Sequence, residues 1–212
     1  FIEFNNIESL NIITVQSACV IIETIQGDAG LIKPTQEFIT ALRVKCTEIG
    51  ALLIFDEVQV GMGRTGKFFA FEHYNIIPDI LTLGKALGGG MPIGAFISSK
   101  EIMHSLTYNP MLGHITTFGG HPINCSAANA CINVLKEENW ITDADKKGQL
   151  LEDIIAQSDQ VKEIRRAGLF LAIDLGNQEK VAQVVTKCLE KGVIGFWFLS
   201  TPTAFRLSPP LS

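Results

Sequence analysis

The sequence predicts an α/β fold with a mostly parallel central sheet and helices on both faces of that sheet. Two observations lead to this prediction. Short apolar segments of strand length alternate with segments of helical period, and polar residues follow where several of the apolar segments end. The predicted strands are residues 18–23, 51–55, 79–83, 93–98, 168–175, 192–199 and 204–207, and the predicted helices are 34–49, 122–136, 143–157 and 179–191.

The first four strands and the first helix are predicted from apolar runs and their ends. The first two strands are almost unbroken apolar runs, and the second leads into the acidic pair Asp56 and Glu57. In the helix between them, Phe38, Leu42 and Cys46 recur on one face. The third strand stops at a glycine followed by a lysine, and the fourth is a short apolar run.

The second half of the chain has a different pattern. Its first helix carries a small-residue face that includes Ala127 and Ala128, and a more polar helix follows. Beyond these two helices, strands and one helix follow in an order typical of a small α+β unit. We therefore expect a domain boundary near residue 145, which divides the chain into residues 1–145 and 146–212.

Composition and charge narrow the class of protein. Hydrophobic residues make up 47% of the chain and charged residues 18%, as in a well-packed globular protein. The net charge of −5 without a basic patch argues against nucleic acid as a partner, and the apolar runs are too short to cross a bilayer. Five cysteines without a C-x-x-C pair, and no secretory signal, favour a cytoplasmic location. The sequence does not begin with Met, which predicts that it is part of a longer protein.

A glycine-rich segment, residues 61–67, fits two phosphate-binding motifs, G-x-G-x-x-G and G-x-x-x-x-G-K. A P-loop needs Ser or Thr after its lysine to hold magnesium, whereas Phe68 follows Lys67 here. A dinucleotide loop turns a strand directly into a helix, whereas residues 57–60 intervene here. We interpret the segment as a glycine-rich surface turn.

Polar residues at the ends of predicted parallel strands form the candidate chemical site. They are Glu23, then Asp56 with Glu57 and Gln59, and then Lys85 among glycines. Open α/β sheets bind their ligands at this edge. Singly, each residue could equally be a surface or helix-capping residue. Together they fit pyridoxal phosphate, which needs a lysine for its Schiff base and a carboxylate that keeps its pyridine nitrogen protonated.

Residues 51–94 resemble the signature of class III aminotransferases, which have the type I pyridoxal-phosphate-dependent transferase fold. The shared motifs are D-E-x-Q, G-R-T-G, P-D-I and G-K-A-L-G-G-G, at the family's spacing, and the resemblance extends over nearly the whole chain. It implies that Lys85 holds pyridoxal 5'-phosphate as a Schiff base and moves the substrate proton. It also implies that Asp56 pairs with the pyridine nitrogen and that Gln59 hydrogen-bonds the phenolic oxygen. On this resemblance, residues 1–145 are the later part of the large cofactor-binding domain, and residues 146–212 begin the small carboxyl-terminal domain.

The segment 114–122 resembles the family's H-G-S-T-Y-G-G-N-P, in which the second hydroxyl residue reaches the cofactor phosphate of the neighbouring subunit. The resemblance implies cofactor binding by Thr117, with Thr116 beside it, and a homodimer with shared active sites. Ile115 and His121 depart from the family's Gly and Asn. The alternative for Thr117 is a helix-capping role.

Two further segments bear on the substrate. Residues 205–211 resemble the family's R-x-x-P-P, which implies that Arg206 binds a substrate carboxylate through two parallel hydrogen bonds. Residues 23–30 resemble E-P-I-Q-G-E-x-G, which implies substrate-side roles for Glu23 and Asp28. In ornithine-type members a Glu at the position of Asp28 pairs with the arginine. Asp is shorter by a methylene, which puts that pair in doubt here.

The sequence is nearest to the acetylornithine and ornithine branch, which implies transfer of a terminal amino group from a small amino donor to 2-oxoglutarate. Alternatives are a 4-aminobutyrate or other ω-amino acid aminotransferase, an aminomutase or decarboxylase of the same fold, and a catalytically silent scaffold. Arg206 favours transamination over the mutase, and the presence of Lys85 and Asp56 argues against the silent scaffold. The family's phosphate-binding loop belongs to an earlier portion. A polypeptide limited to residues 1–212 is therefore expected to bind cofactor poorly and to be inactive.

Overall fold

The computed structural model describes residues 1–212 and confirms the α/β class, with helices packed on sheets. The helices are α1 (Gln36–Ile49), α2 (Lys100–His104), α3 (Pro122–Glu137), α4 (Trp140–Ile155) and α5 (Gln178–Glu190). The strands are β1 (Cys19–Glu23), β2 (Leu52–Asp56), β3 (Ile80–Leu83), β4 (Ala95–Ser98), β5 (Glu163–Ala167), β6 (Phe170–Asp174), β7 (Phe196–Trp197) and β8 (Ala204–Leu207). No helix is long and apolar enough to cross a membrane.

The chain divides into two compact units that interleave in sequence. Unit 1 consists of residues 1–24, 34–59 and 71–137, and unit 2 of residues 25–33, 60–70 and 138–212. Unit 1 holds β1 to β4 and α1 to α3, and unit 2 holds β5 to β8, α4 and α5. The domain boundary near residue 145 stays a prediction.

Unit 1 is built on a four-stranded sheet in the order β1-β2-β3-β4. The first two pairs are parallel, and β4 is antiparallel to β3. The sheet is therefore mostly parallel, as the sequence predicts. Parallel pairing brings the carboxyl ends of β1, β2 and β3 to one edge of the sheet, and this edge carries the candidate site.

Helix α1 shows how closely local sequence determines the elements of unit 1. The Thr35 hydroxyl caps the amino terminus by accepting a hydrogen bond from the Phe38 amide, and Gly50 ends the helix in the left-handed conformation at φ 76°. The predicted face of Phe38, Leu42 and Cys46 is fully buried. Burial of such a face provides most of the stability of a short helix.

Unit 2 is built on an antiparallel sheet in the order β5-β6-β8-β7. One face of this sheet packs against α5 through a buried apolar cluster, with the members Leu171, Ile173, Leu175, Val181, Val185 and Phe205. The opposite face packs against the segments 25–33 and 60–70, through a second cluster with the members Ile25, Leu31, Val60, Ala70, Ala167, Phe170, Ala172, Phe198 and Ala204. Two short excursions of the chain thus complete the core of this unit.

Candidate active site

Asp56 is the last residue of β2, and its carboxylate is half-buried. Its Oδ1 oxygen accepts a hydrogen bond from the backbone N–H of Val58 at 2.9 Å, which fixes the carboxylate against its own turn. No Lys, Arg or His of the chain forms an ion pair with it. A half-buried carboxylate without a cationic partner is suited to bind a cationic group of a ligand.

Lys85 lies just beyond β3, with only Gly84 between them. Strand β3 is the parallel neighbour of β2. Lys85 is the first residue of a 3₁₀ helix, Lys85–Gly88, and its side chain is exposed. Its backbone has a positive φ of 45°, which is uncommon for a residue with a Cβ. The structure therefore brings Lys85 and Asp56 to the same edge of the sheet, at the ends of adjacent strands.

Three polar side chains form a row across this edge. Glu23 pairs in register with Asp56, and Asp56 pairs in register with Thr82. Residues in register across a sheet point to the same face, so the three side chains share one face. Thr82 was missed in the sequence because it lies inside an apolar strand, although a lone hydroxyl three residues before the lysine is a visible signal. Its hydroxyl donates to the Phe55 carbonyl at 3.4 Å.

Close packing beneath Lys85 depends on Gly84. A Cβ at Gly84 would lie 3.3 Å from Cγ1 of Val58, the residue whose amide holds Asp56. The missing side chain thus allows the turns after β2 and β3 to approach each other. An exposed primary amine, a nearby unpaired carboxylate and a glycine-lined edge fit the requirements of pyridoxal phosphate for a lysine and a facing carboxylate.

Gln59 and the two threonines occupy different environments within unit 1. Gln59 is half-buried three residues after Asp56, and its side-chain amide has no hydrogen-bond partner in the chain. Thr116 and Thr117 are exposed in the loop before α3, and neither hydroxyl donates to or caps another group of the chain. Helix capping, the alternative for Thr117, is therefore not observed. The cofactor-binding roles of these residues stay predictions.

Arg206 lies on β8 in unit 2 and has no carboxylate partner in the chain. Its guanidinium carbon is 5.0 Å from the ring centre of Phe196, its partner in register on β7. Such a contact orients the cation without neutralising it. Arg206 also lines a cavity of about 610 Å³ whose other walls are mainly apolar, formed by Leu151, Gly192, Val193, Ile194, Phe196, Leu207, Ser208, Pro209 and Pro210.

Asp28 also lies in unit 2, but it is not paired with Arg206. Its carboxylate accepts hydrogen bonds from the Ser200 hydroxyl at 3.0 Å and from the Leu199 amide at 3.3 Å. The neighbouring Thr201 hydroxyl donates to the Ala29 carbonyl at 2.9 Å. The Asp28 carboxylate, which the resemblance places opposite Arg206, thus links the segment 25–33 by hydrogen bonds to the residues before β8. Its substrate-binding role stays a prediction.

The glycine-rich segment is a turn, but it is buried, so the interpretation as a surface turn was wrong. A Cβ at Gly63 would lie 2.8 Å from the side chain of Ile141, which packs over the turn. Arg64 donates to the carbonyl oxygens of Leu169 at 3.1 Å and Pro209 at 2.6 Å, and burial lowers the pKa of its guanidinium. Through Arg64, the turn anchors the segment that follows Arg206.

Comparison with known proteins agrees with this geometry. The profile of the family "Aminotransferase class-III" matches residues 2–212. Ornithine delta-aminotransferase of Plasmodium falciparum is 32% identical, with a TM-score of 0.86, over 99% of this chain and 56% of that chain. Ornithine aminotransferase of Toxoplasma gondii, in a structure with partial occupancy of PLP at its active site, is 31% identical, with a TM-score of 0.89, over 99% of this chain and 50% of that chain.

A third solved structure, an aminotransferase of Bacillus anthracis, is 32% identical, with a TM-score of 0.82, over 92% of this chain and 48% of that chain. An α/β fold with a lysine and a carboxylate at this edge of its sheet is typical of the pyridoxal-phosphate-dependent class. The chain belongs to the class III aminotransferase family, whose members use pyridoxal phosphate. It spans about half the length of the solved structures that it matches.

Proposed function

We propose that the full-length protein is a transaminase that moves a terminal amino group from an ornithine-like donor, such as ornithine or acetylornithine, to 2-oxoglutarate. The observation that carries this proposal is the position of Lys85 and Asp56 at the ends of adjacent parallel strands. Family membership and the ornithine aminotransferases among the solved relatives support the reaction class. The Arg206 side chain supports a substrate that carries a carboxylate.

The residues at the sheet edge divide the chemistry between them. When bound, pyridoxal phosphate supplies an electron sink for the charge left on the substrate carbon that loses its proton. The Nζ atom of Lys85 would hold the group covalently and, once the substrate amine has displaced it, would be free to carry that proton. The Asp56 carboxylate would keep the pyridine nitrogen of the group protonated, because a nearby negative charge stabilises the cation. Gln59 would donate a hydrogen bond to the phenolic oxygen of the group.

Arg206 provides the recognition of the substrate. A guanidinium binds a carboxylate through two parallel hydrogen bonds, and no protein carboxylate competes for Arg206 in this structure. The guanidinium lies over the Phe196 ring, and this contact helps to orient it. Substitution Arg206→Lys keeps the charge but loses the planar pair of donors. It is expected to raise the KM for 2-oxoglutarate by about tenfold or more, because a lost charge-assisted hydrogen bond corresponds to roughly 1.5–3 kcal/mol.

The homodimer belongs to the same proposal. The loop from Tyr108 to the start of α3 exposes a series of large apolar side chains, namely Tyr108, Met111, Leu112, Ile115, Phe118 and Ile123. Contiguous exposed apolar surface is typical of a protein interface. The loop also carries Thr116 and Thr117, so pairing of two copies through it would place both hydroxyls at the contact between subunits, as the resemblance implies for Thr117. Sedimentation equilibrium of the full-length protein measures the stoichiometry, and a monomer at micromolar concentration would contradict the shared site.

One experiment tests the cofactor chemistry and another the donor. The visible spectrum of the full-length protein is recorded with and without Lys85→Ala, before and after addition of glutamate and after borohydride. We expect a cofactor band that glutamate bleaches in the parent, and no borohydride-stable attachment in the variant. Ornithine, acetylornithine, lysine and 4-aminobutyrate are then compared as donors. If the parent shows no cofactor band even with added pyridoxal phosphate, the proposed transaminase activity is refuted. If the parent turns over none of these donors, the proposed substrate class is refuted.

A further inference from the structure

The backbone of Lys85 is held in a conformation that a lysine does not adopt readily. Its φ of 45° lies in the left-handed region, where the Cβ is crowded by the chain. A residue keeps such a conformation only when its surroundings determine it. The hydrogen bond from the Leu87 amide to the Gly84 carbonyl, at 3.0 Å, closes the turn around Lys85 but does not attach that turn to the rest of unit 1.

Helix α3 supplies the attachment from outside the turn. The Sγ atom of Cys131, in the middle of α3, donates to the carbonyl oxygen of Ala86 at 3.3 Å. The Gly89 amide donates to the same oxygen at 3.1 Å. About two turns earlier on α3, the side-chain amide nitrogen of Asn124 donates to the Pro92 carbonyl at 2.6 Å. The helix thus holds both ends of the loop that begins at Lys85.

The approach of α3 to the loop requires Gly89. A Cβ at Gly89 would lie 3.1 Å from the Cβ of Cys131 and 3.3 Å from the carbonyl oxygen of Ala127. Gly89 also has a φ of 55°, whereas the next residue, Gly90, has a φ of 103° and nothing within 4 Å of its Cβ position. The two glycines share the positive φ, but only Gly89 contacts the helix.

We propose that Cys131 is a positioning residue for Lys85: its thiol fixes the Ala86 carbonyl, and so fixes the direction from which the Lys85 amine enters the site. The inference rests on the proposed covalent attachment of the cofactor to Lys85. Cys131 itself does not touch the reacting atoms. Its role is to keep the strained residue in the conformation from which its Nζ reaches the cofactor.

The test compares Cys131→Ala, which removes the donor, with Cys131→Ser, which retains a donor at the same place. Cys125→Ala on the same helix is the matched control, because Cys125 is exposed and its thiol has no hydrogen bond in the chain. Apoprotein of each full-length variant is mixed with pyridoxal phosphate, and the rate of growth and the pH midpoint of the visible cofactor band are measured. Neither readout depends on turnover.

Cys131→Ala is expected to slow attachment by about three- to fivefold, the effect of losing one weak hydrogen bond, and to shift the pH midpoint. Cys131→Ser and Cys125→Ala are expected to stay within about twofold of the parent on the same reasoning. Gly89→Ala is expected to slow attachment more than Gly50→Ala. Both glycines have a positive φ, 55° and 76°, but only an alanine Cβ at position 89 would press on α3. This second pair keeps the test decisive if Cys131→Ala fails to fold.

The outcomes separate the two proposals. A parent protein that develops no band overturns the proposed function and the positioning role with it. The positioning role alone is overturned if the parent develops a normal band but Cys131→Ala and Gly89→Ala match their controls. The match would have to hold for both the rate and the pH midpoint. A lower melting temperature without a change in either readout also overturns the positioning role, because a purely structural contact would have that effect.

Discussion

The Oε1 oxygen of Glu57 accepts a hydrogen bond from the Thr24 hydroxyl at 3.1 Å, and a second from the Phe71 amide at 2.7 Å. The exposed fraction of Glu57 is only 1%, and Thr24 is fully buried. Glu57 directly follows β2 and continues its alternation, in which Leu53 and Phe55 are buried, so Glu57 is directed away from the face that carries Asp56. The acidic pair thus separates into one internal carboxylate and one that is available to a ligand.

Glu57→Ala is expected to destabilise the apoprotein by about 2–4 kcal/mol, because it leaves the buried Thr24 hydroxyl and Phe71 amide without their acceptor and opens a cavity. The free energy of unfolding in urea measures the effect. Glu48→Ala is the matched control, since Glu48 is exposed on α1 and should change stability by less than about 0.5 kcal/mol. Equal stability of the two variants would show that the internal carboxylate is not structural.

Asp56→Asn, in contrast to Glu57→Ala, is expected to leave stability nearly unchanged and to lower activity. The Asn side-chain oxygen still accepts the 2.9 Å hydrogen bond from Val58, so the free energy of unfolding should change by less than about 0.5 kcal/mol. The negative charge is lost, however, and transamination should fall by about 100-fold or more, the range found for groups that control a proton at the reaction centre. Measured kcat close to that of the parent would exclude Asp56 as the partner of the pyridine nitrogen.

Strand β2 and helix α1 were predictable because their patterns are local. Few structures other than a buried strand fit an unbroken apolar run of strand length. Few structures other than a helix fit an apolar residue at every fourth position. The spacing of Asp56 and Lys85, together with the glycines around the lysine, also indicated the candidate site before the fold was known. The adjacency of the two residues follows from the parallel pairing of β2 with β3.

Three features were not predicted, two of them because they depend on distant contacts. Strand β5 was missed since its sequence is charged, and Arg166 on it is satisfied by the carboxylates of Glu152 and Asp145 on α4 at 2.7 and 2.6 Å. The predicted strand 192–199 is reduced to the two residues of β7, because Gly192 adopts a positive φ of 80° and ends helix α5 in a turn. The glycine-rich turn was taken for a surface feature, since its covering residues lie more than 70 positions later.

Gly168 offers a direct test of that buried turn. A Cβ there would lie 2.7 Å from both the Arg64 carbonyl oxygen and the Gly66 amide nitrogen, and the φ of 58° disfavours any side chain. Gly168→Ala should therefore destabilise the protein by about 3 kcal/mol or more, because backbone cannot move aside. Gly192→Ala shares the positive φ but meets nothing within 4 Å, so only about 1 kcal/mol is expected. Thermal unfolding compares them, and equal losses would contradict the tight packing.

Tyr74 gives the protein a specific sensitivity to alkaline pH. Burial raises the pKa of its hydroxyl to about 12, from about 10 in an unfolded chain. The folded state therefore keeps this proton where the unfolded state loses it. The stabilising contribution is complete below about pH 10 and is lost as pH rises from there through 12. At pH 11 the two pKa values correspond to a loss of about 1.4 kcal/mol, which solvent screening of the partly exposed hydroxyl reduces to about 1 kcal/mol.

Tyr74→Phe removes this group but keeps the ring. The free energy of unfolding in urea, measured at pH 8 and pH 11, should fall less in Tyr74→Phe than in the parent, by about 1 kcal/mol. Tyr108→Phe is the matched control, because Tyr108 is 68% exposed, and its fall in stability should equal that of the parent. If the Tyr74 variant loses as much stability as the parent between the two pH values, the Tyr74 hydroxyl is not buried in the native protein.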